Sequence, residues 1–114
     1  MKMAKWELER DSRQYQLMLD RLSAFERKAI GLPDLVEDLR SLIDALSSTN
    51  RWAQELLSDW WTLEQVYAVA IDRDQLQSLP QDSEDLVKEA ITALRDLLAR
   101  AVAENQAELK QEVQ

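Results

Sequence analysis

The chain has 114 residues, 46% of them apolar and 32% charged, which fits one domain with enough apolar mass for a real core and excludes a disordered tract. It contains no histidine, no cysteine and a single glycine. Ser-His-Asp and Cys-His nucleophiles, ordinary zinc sites, disulfides, P-loops and dinucleotide fingerprints are therefore excluded, because each needs residues that are missing. A net charge of −8 disfavours nonspecific contact with nucleic acid or an anionic membrane and favours a basic partner, although solubility alone explains such a charge as well.

Few glycines and prolines mean few turns, and Ala, Leu, Glu, Gln and Arg favour helix. The prediction is an all-α, antiparallel four-helix bundle in a single domain spanning residues 1–114, with helices at about 11–29, 33–47, 51–73 and 83–103. Tyr15, Met18, Leu22, Phe25 and Ala29 step by three and four and mark one face of the first helix. Its start is open: Trp6 and Leu8 extend the pattern, while Asp11 or Ser12 offers a cap. "IGLPD" ends it, with Gly31 able to take the left-handed conformation and Pro33 opening the second helix.

Leu35, Val36, Leu39, Leu42, Ile43 and Leu46 give the second face. "SSTN" supplies a turn, with Thr49 or Asn50 as N-cap of the third helix. Pro80 sits in the break "DRDQLQSLPQDS", and Asp82 or Ser83 can cap the fourth helix, placing Glu84 and Asp85 in its first turn. Leu86, Val87, Ala90, Ile91, Leu94, Leu97, Leu98, Ala101 and Val102 line its apolar face, and beyond Ala103 the pattern thins. The start "MKMAKWELERD" has no apolar signal region, and there is no run of about 18 apolar residues, so neither secretion nor a membrane span is expected and the reading is cytoplasmic.

Charge is unevenly placed. Residues 1–32 are net +2, residues 33–85 net −9 and the remainder net −1. In the third connection Asp72, Asp74, Asp82, Glu84 and Asp85 face only Arg73. Capping accounts for part of this, but Asp72 and Asp74 lie at a helix C-terminus, where the macrodipole disfavours acid. Acid held against a local cost points to an outside partner.

For chemistry, only carboxylate sites remain. Asp34, Glu37 and Asp38 share a helix side and could hold Mg²⁺ with waters, but they flank Leu35, Val36 and Leu39, so they read as a solvated first turn. Glu64 lies in "WWTLEQVYAVA". On a helical wheel it points with Ala53 and Ile71, near Trp60 and Tyr67, in the apolar face. A bare carboxylate there costs several kcal/mol. A structural role with Trp60, Tyr67 or an arginine (Arg21, Arg40 or Arg95) is the leading reading, ahead of binding and of catalysis. Trp52, Trp60 and Trp61 cannot all face inward, and Trp61, turned about 100° from Trp60, is the candidate interface anchor.

The run "LPDLVEDLRSLIDAL" followed by "WAQELLSDWWTLEQVYAVAIDR", residues 32–73, resembles small helical immunity proteins of bacterial polymorphic-toxin and contact-dependent inhibition systems. The match is a Leu-rich helix followed by a Trp-rich helix carrying Trp60, Leu63, Glu64, Tyr67 and Ala68. The resemblance implies a cytoplasmic, non-catalytic protein that needs no cofactor or metal and binds one cognate toxin, commonly a basic nuclease domain. A surface of fixed carboxylates would occlude such a cleft and speed encounter.

The expected partner-binding residues are Asp59, Trp61, Asp72, Asp74, Asp82, Glu84 and Asp85, with Glu64, Trp60 and Tyr67 as buried structural groups. Two alternatives stand beside this reading. One is a structural or regulatory helical dimer; the other is a small Mg-dependent nucleotide hydrolase.

Overall fold

A computed structural model describes residues 3–113, with side chains through residue 111. It has four helices: α1 (Lys5–Glu26), α2 (Leu32–Asp44), α3 (Ala53–Asp72) and α4 (Gln81–Val113). Each packs on its two neighbours in the cyclic order α1, α2, α3, α4. The pairings run antiparallel. Asn105 of α4 meets Leu8 of α1, Arg95 meets Ser23 and Glu26, and Trp60 of α3 meets Val36 of α2. The fold is the expected all-α four-helix bundle.

The core is one cluster that draws on all four helices. In α3 its buried positions are Leu56, Trp60, Leu63, Val66 and Ala70. Leu56, Leu63 and Ala70 fall seven residues apart, the spacing of a bundle seam. Trp60 donates its indole N–H to the Val36 carbonyl at 2.7 Å, and the Arg40 guanidinium lies 5.0 Å from its ring. The long side chain is thus fixed at both its polar and its apolar faces.

Several boundaries differ from the sequence reading, each for a local reason. α1 begins at Lys5 rather than near residue 11, because Glu7 reaches back to accept from the Ala4 N–H at 3.0 Å, satisfying one of the free amides of the first turn. Asp11 and Ser12 cap nothing in α1; both lie inside it. Asn50 does act at the start of α3, but by accepting from the Trp52 N–H at 2.8 Å two residues on, in an Asx turn. α4 begins at Gln81, with the Pro80 carbonyl accepting from Glu84 N–H, so Asp82 and Ser83 sit in its first turn instead of capping it. It continues to Val113 rather than ending near residue 103, since Asn105 ties it to α1.

Gly31 was expected to be left-handed, and it is not: it has φ −90° and ψ 174° and serves as N-cap of α2. Lys28 takes the left-handed position instead, at φ 64°. Its N–H bonds to the Phe25 carbonyl, and the Ala29 N–H bonds to the Ala24 carbonyl. This is a Schellman ending, in which the left-handed residue lets two amides reach back to otherwise unpaired carbonyls. Asp74, at φ 54°, closes α3 the same way: its N–H bonds to Ile71 and that of Gln75 to Ala70.

The helices are unequal, and this shapes the two ends. α4 begins fourteen residues before Arg95, about 21 Å of helix, whereas Arg95 already lies against the last turn of α1. Likewise α3 runs twelve residues past Trp60, about 18 Å, while α2 begins only one turn before Val36. The last turns of α3 and the first turns of α4 therefore project beyond α1 and α2 as a helical hairpin. No helix is long and apolar enough to cross a membrane among the described residues.

Candidate partner-binding surface

The projecting hairpin holds itself together with a narrow seam. Val66, Ala70, Val87 and Ala90 are buried in it. Without α1 and α2 to cover the flanks, the neighbouring apolar side chains stay in solvent: Val69, Ile71, Leu76 and Leu86 are all exposed, Ile71 by 53%. A single exposed leucine is ordinary; the projection carries four exposed apolar side chains, with Val69 and Ile71, two residues apart, on different sides of α3.

Carboxylates share that projection. Asp72, Asp74, Asp82, Glu84 and Asp85 are all exposed, and the structure brings the five together around the α3–α4 connection. Among the described residues none of the five is in an ion pair. Asp85 accepts only from the Gln81 side-chain amide, at 2.9 Å. Several other carboxylates are paired: Asp38 with Arg21, Asp44 with Arg40, Glu26 with Arg95, Asp96 with Arg100 and Glu104 with Arg51. Others along the helices, such as Asp20, Glu55 and Glu89, have no ion pair among the described residues, and the tip is distinguished by holding five such acids within residues 72–85. Its local cost is partly explained. Aspartate is among the residues that tolerate the left-handed conformation, which accounts for Asp74, while Asp82, Glu84 and Asp85 favour the N-terminus of α4. Asp72, in the last turn of α3, has no such role.

Asp59 and Trp61 do not belong to this tip. They lie thirteen and eleven residues back from Asp72 along α3, about 20 and 17 Å. Trp61 is 49% exposed, with its ring 5.3 Å edge-on from Trp60. Asp59 is half-buried; burial, and after it the Glu55 carboxylate one turn away, raise its carboxyl above the ordinary aspartate range. Both can form a second contact region midway along α3.

Trp60 is buried and Tyr67 half-buried against the core. Glu64 was expected in the middle of the apolar face and lies at its edge instead. It is half-buried, about 100° round from the seam residue Leu63. Among the described residues it has no hydrogen bond or ion pair, and the arginines proposed for it are engaged by Asp38, Asp44 and Glu26.

Among the described residues the one fully buried carboxylate is Asp11, 1% exposed. Its Oδ1 accepts from both the Ser47 N–H and hydroxyl at 3.0 Å, and its Oδ2 accepts from the Asn50 amide at 2.8 Å. Arg10 donates to the same Ser47 hydroxyl. An acid on α1 thereby satisfies the polar groups of the α2–α3 connection, at the end of the bundle opposite the hairpin.

Asp34 and Glu37 are exposed and Asp38 pairs with Arg21. Among the described residues no group of three or more carboxylates is placed to hold a metal ion. In comparisons with known proteins, no family model, curated protein or solved structure matches this chain.

Proposed function

We propose that this protein is a non-catalytic binding module, an immunity protein that acts in the cytoplasm and neutralises a cognate toxin through its acidic α3–α4 hairpin. The observation that carries the reading is the tip itself: five carboxylates with no ion pair among the described residues share one projection with the exposed Val69, Ile71, Leu76 and Leu86. Exposed apolar side chains set among charges are a feature of protein interfaces, and the sign of the charges selects a basic partner. A nuclease domain, basic because it must hold phosphates, has the complementary cleft. The resemblance of residues 32–73 to small helical immunity proteins supports the same class.

The test is co-expression of the chain with the product of the adjoining reading frame. The expected result is a stable one-to-one complex in which that product's nuclease activity is lost. Charge reversal at Asp72→Lys and Asp74→Lys should slow association and flatten its dependence on salt, because long-range attraction is screened by ions. An adjoining product that is neither bound nor inhibited overturns the reading, as does association that is indifferent to both substitutions.

A further inference from the structure

Glu64 has no partner in the fold, and its surroundings point to one outside it. In α3 the residues Leu57, Trp61, Glu64, Ala68 and Ile71 follow one another at steps of four, three, four and three. They form a single stripe about 21 Å long, on the same side of the seam as Trp60, which faces α2. Leu57 and Glu64 are half-buried, while Trp61, Ala68 and Ile71 are exposed. The far half lies open because α2 begins only one turn before Val36, the residue opposite Trp60, so no part of α2 runs beside Ala68 and Ile71.

Two features say what would cover this stripe. The first is Trp61. Its ring stands edge-on, 5.3 Å from that of Trp60, whose own indole N–H is tied to the Val36 carbonyl. A large apolar ring held in place before contact is the kind of group that anchors an interface at low entropic cost. The second feature is charge. Glu64 is the midpoint of the stripe, seven residues from either end, with Trp61 and Ala68 one turn away on each side. Covering the stripe takes its carboxylate out of water, which is costly unless a cation comes with the cover. The fold supplies none: among the described residues Glu64 has no ion pair, and Arg40, over the Trp60 ring, is held by Asp44. A second copy of the chain does not answer the need either. Because Glu64 is the midpoint, antiparallel packing of the stripe on itself sets two Glu64 carboxylates against each other, and like charges so juxtaposed are repelled.

We propose that this stripe is the docking face for a helix of another protein, one whose apolar face carries a single arginine. The arginine pairs with Glu64, and the apolar side chains on either side of it cover Trp61 and Ile71. Arginine suits the place better than lysine, because its planar guanidinium both bonds a carboxylate through two N–H groups and stacks on an aromatic ring such as that of Trp61. The proposal stands or falls separately from the reading of the tip, because its test uses a peptide in place of the toxin.

Titrating ¹⁵N-labelled protein with two alanine-rich helical peptides tests it. Both carry leucines along one face around a central residue, which is arginine in one and glutamine in the other. Saturable shifts are expected at the Trp61 indole N–H and not at that of Trp6, the other exposed tryptophan. The arginine peptide should bind about tenfold more tightly than its twin, the gain expected of a charge-assisted bond. Glu64→Gln should abolish that preference and leave the melting temperature unchanged, since the acid holds nothing within the fold. Asp72→Asn/Asp74→Asn, at the tip, should keep the preference. Absence of saturable shifts at Trp61, equal shifts at Trp6, or equal affinity for the two peptides overturns the proposal. So does a preference that survives Glu64→Gln or disappears equally in the tip variant, which would assign it to net charge. A lowered melting temperature in Glu64→Gln would overturn it too, by returning Glu64 to a structural role.

Discussion

The two ends of the bundle handle carboxylates in opposite ways. At the α2–α3 end Asp11 is buried and its oxygens are saturated by Ser47 and Asn50. At the α3–α4 end five carboxylates stand in solvent, with no basic partner among the described residues. A buried, hydrogen-bonded acid contributes to the fold because removing it strands its donors. An exposed, unpaired acid contributes almost nothing to stability and instead sets the field that a partner meets. The same residue type thus holds one end together and leaves the other available.

The sharpest way to break this comparison is Asp11→Ala. It leaves the Ser47 N–H and hydroxyl and the Asn50 amide without their acceptor, so unfolding in urea should show a loss of about 3 kcal/mol or more. A loss under about 1 kcal/mol, the worth of one ordinary hydrogen bond, would mean that water replaces the carboxylate and that the two ends do not differ in kind.

Alkaline pH probes the same end. In the unfolded chain Tyr15 ionises near 10.0, and in the fold only at about 12. Between those values the native state keeps a proton that the unfolded state has released, so stability falls as pH rises through that window and is unaffected below it. Melting temperatures followed across the window should drop, and Tyr15→Phe should remove this part of the drop. A parent and variant that decline in parallel would contradict the assignment.

The left-handed turn residues offer a smaller effect that differs between two positions. Lys28→Gly should stabilise by about 1 kcal/mol, because a side chain at φ 64° carries the left-handed penalty that glycine escapes. Gly31→Ala should change stability by less than about 1 kcal/mol, since its φ is −90° and an added Cβ meets only Pro33 Cδ at 3.5 Å, so the entropic gain is offset by alanine's weakness as an N-cap. A loss well above about 1 kcal/mol for Gly31→Ala in thermal melts, with no gain for Lys28→Gly, would reverse the assignment of roles in this turn.

The architecture was legible in the sequence because each helix carries an apolar stripe and the connections are short. The α2 stripe was read almost residue for residue, and Leu42 alone of its six positions is half-buried instead of buried. α3 misled because it is apolar nearly all round. A wheel centred on Ala53, Glu64 and Ile71 looks reasonable until its neighbours are known, yet Ile71 is exposed and the seam runs through Leu56, Leu63 and Ala70. The choice between the two centres is made by where α2 and α4 pack.

Asp11 was missed as a buried group, although its signal was present. Leu8, Asp11, Tyr15, Met18 and Leu22 step by three, four, three and four, with an acid in register with the core. Asn105 occupies the corresponding place after Leu94, Leu98 and Ala101 in α4. A polar residue in phase with an apolar stripe marks a buried network, and both of these line the same end of the bundle. The acidic tip was legible as composition, but its projection was not, because it follows from the unequal lengths of four packed helices.

The central claim is that the tip acids are kept for contact and not for the fold, and the urea unfolding of Asp72→Asn/Asp74→Asn tests it most directly. Removing two charges from the C-terminal turn of α3 relieves the macrodipole, and asparagine accepts the left-handed position as readily as aspartate. The account predicts a protein equal to the parent or more stable by about 0.3–1 kcal/mol. A loss of more than about 1 kcal/mol, beyond what an exposed charge contributes, would show that these carboxylates hold the hairpin together and would contradict it.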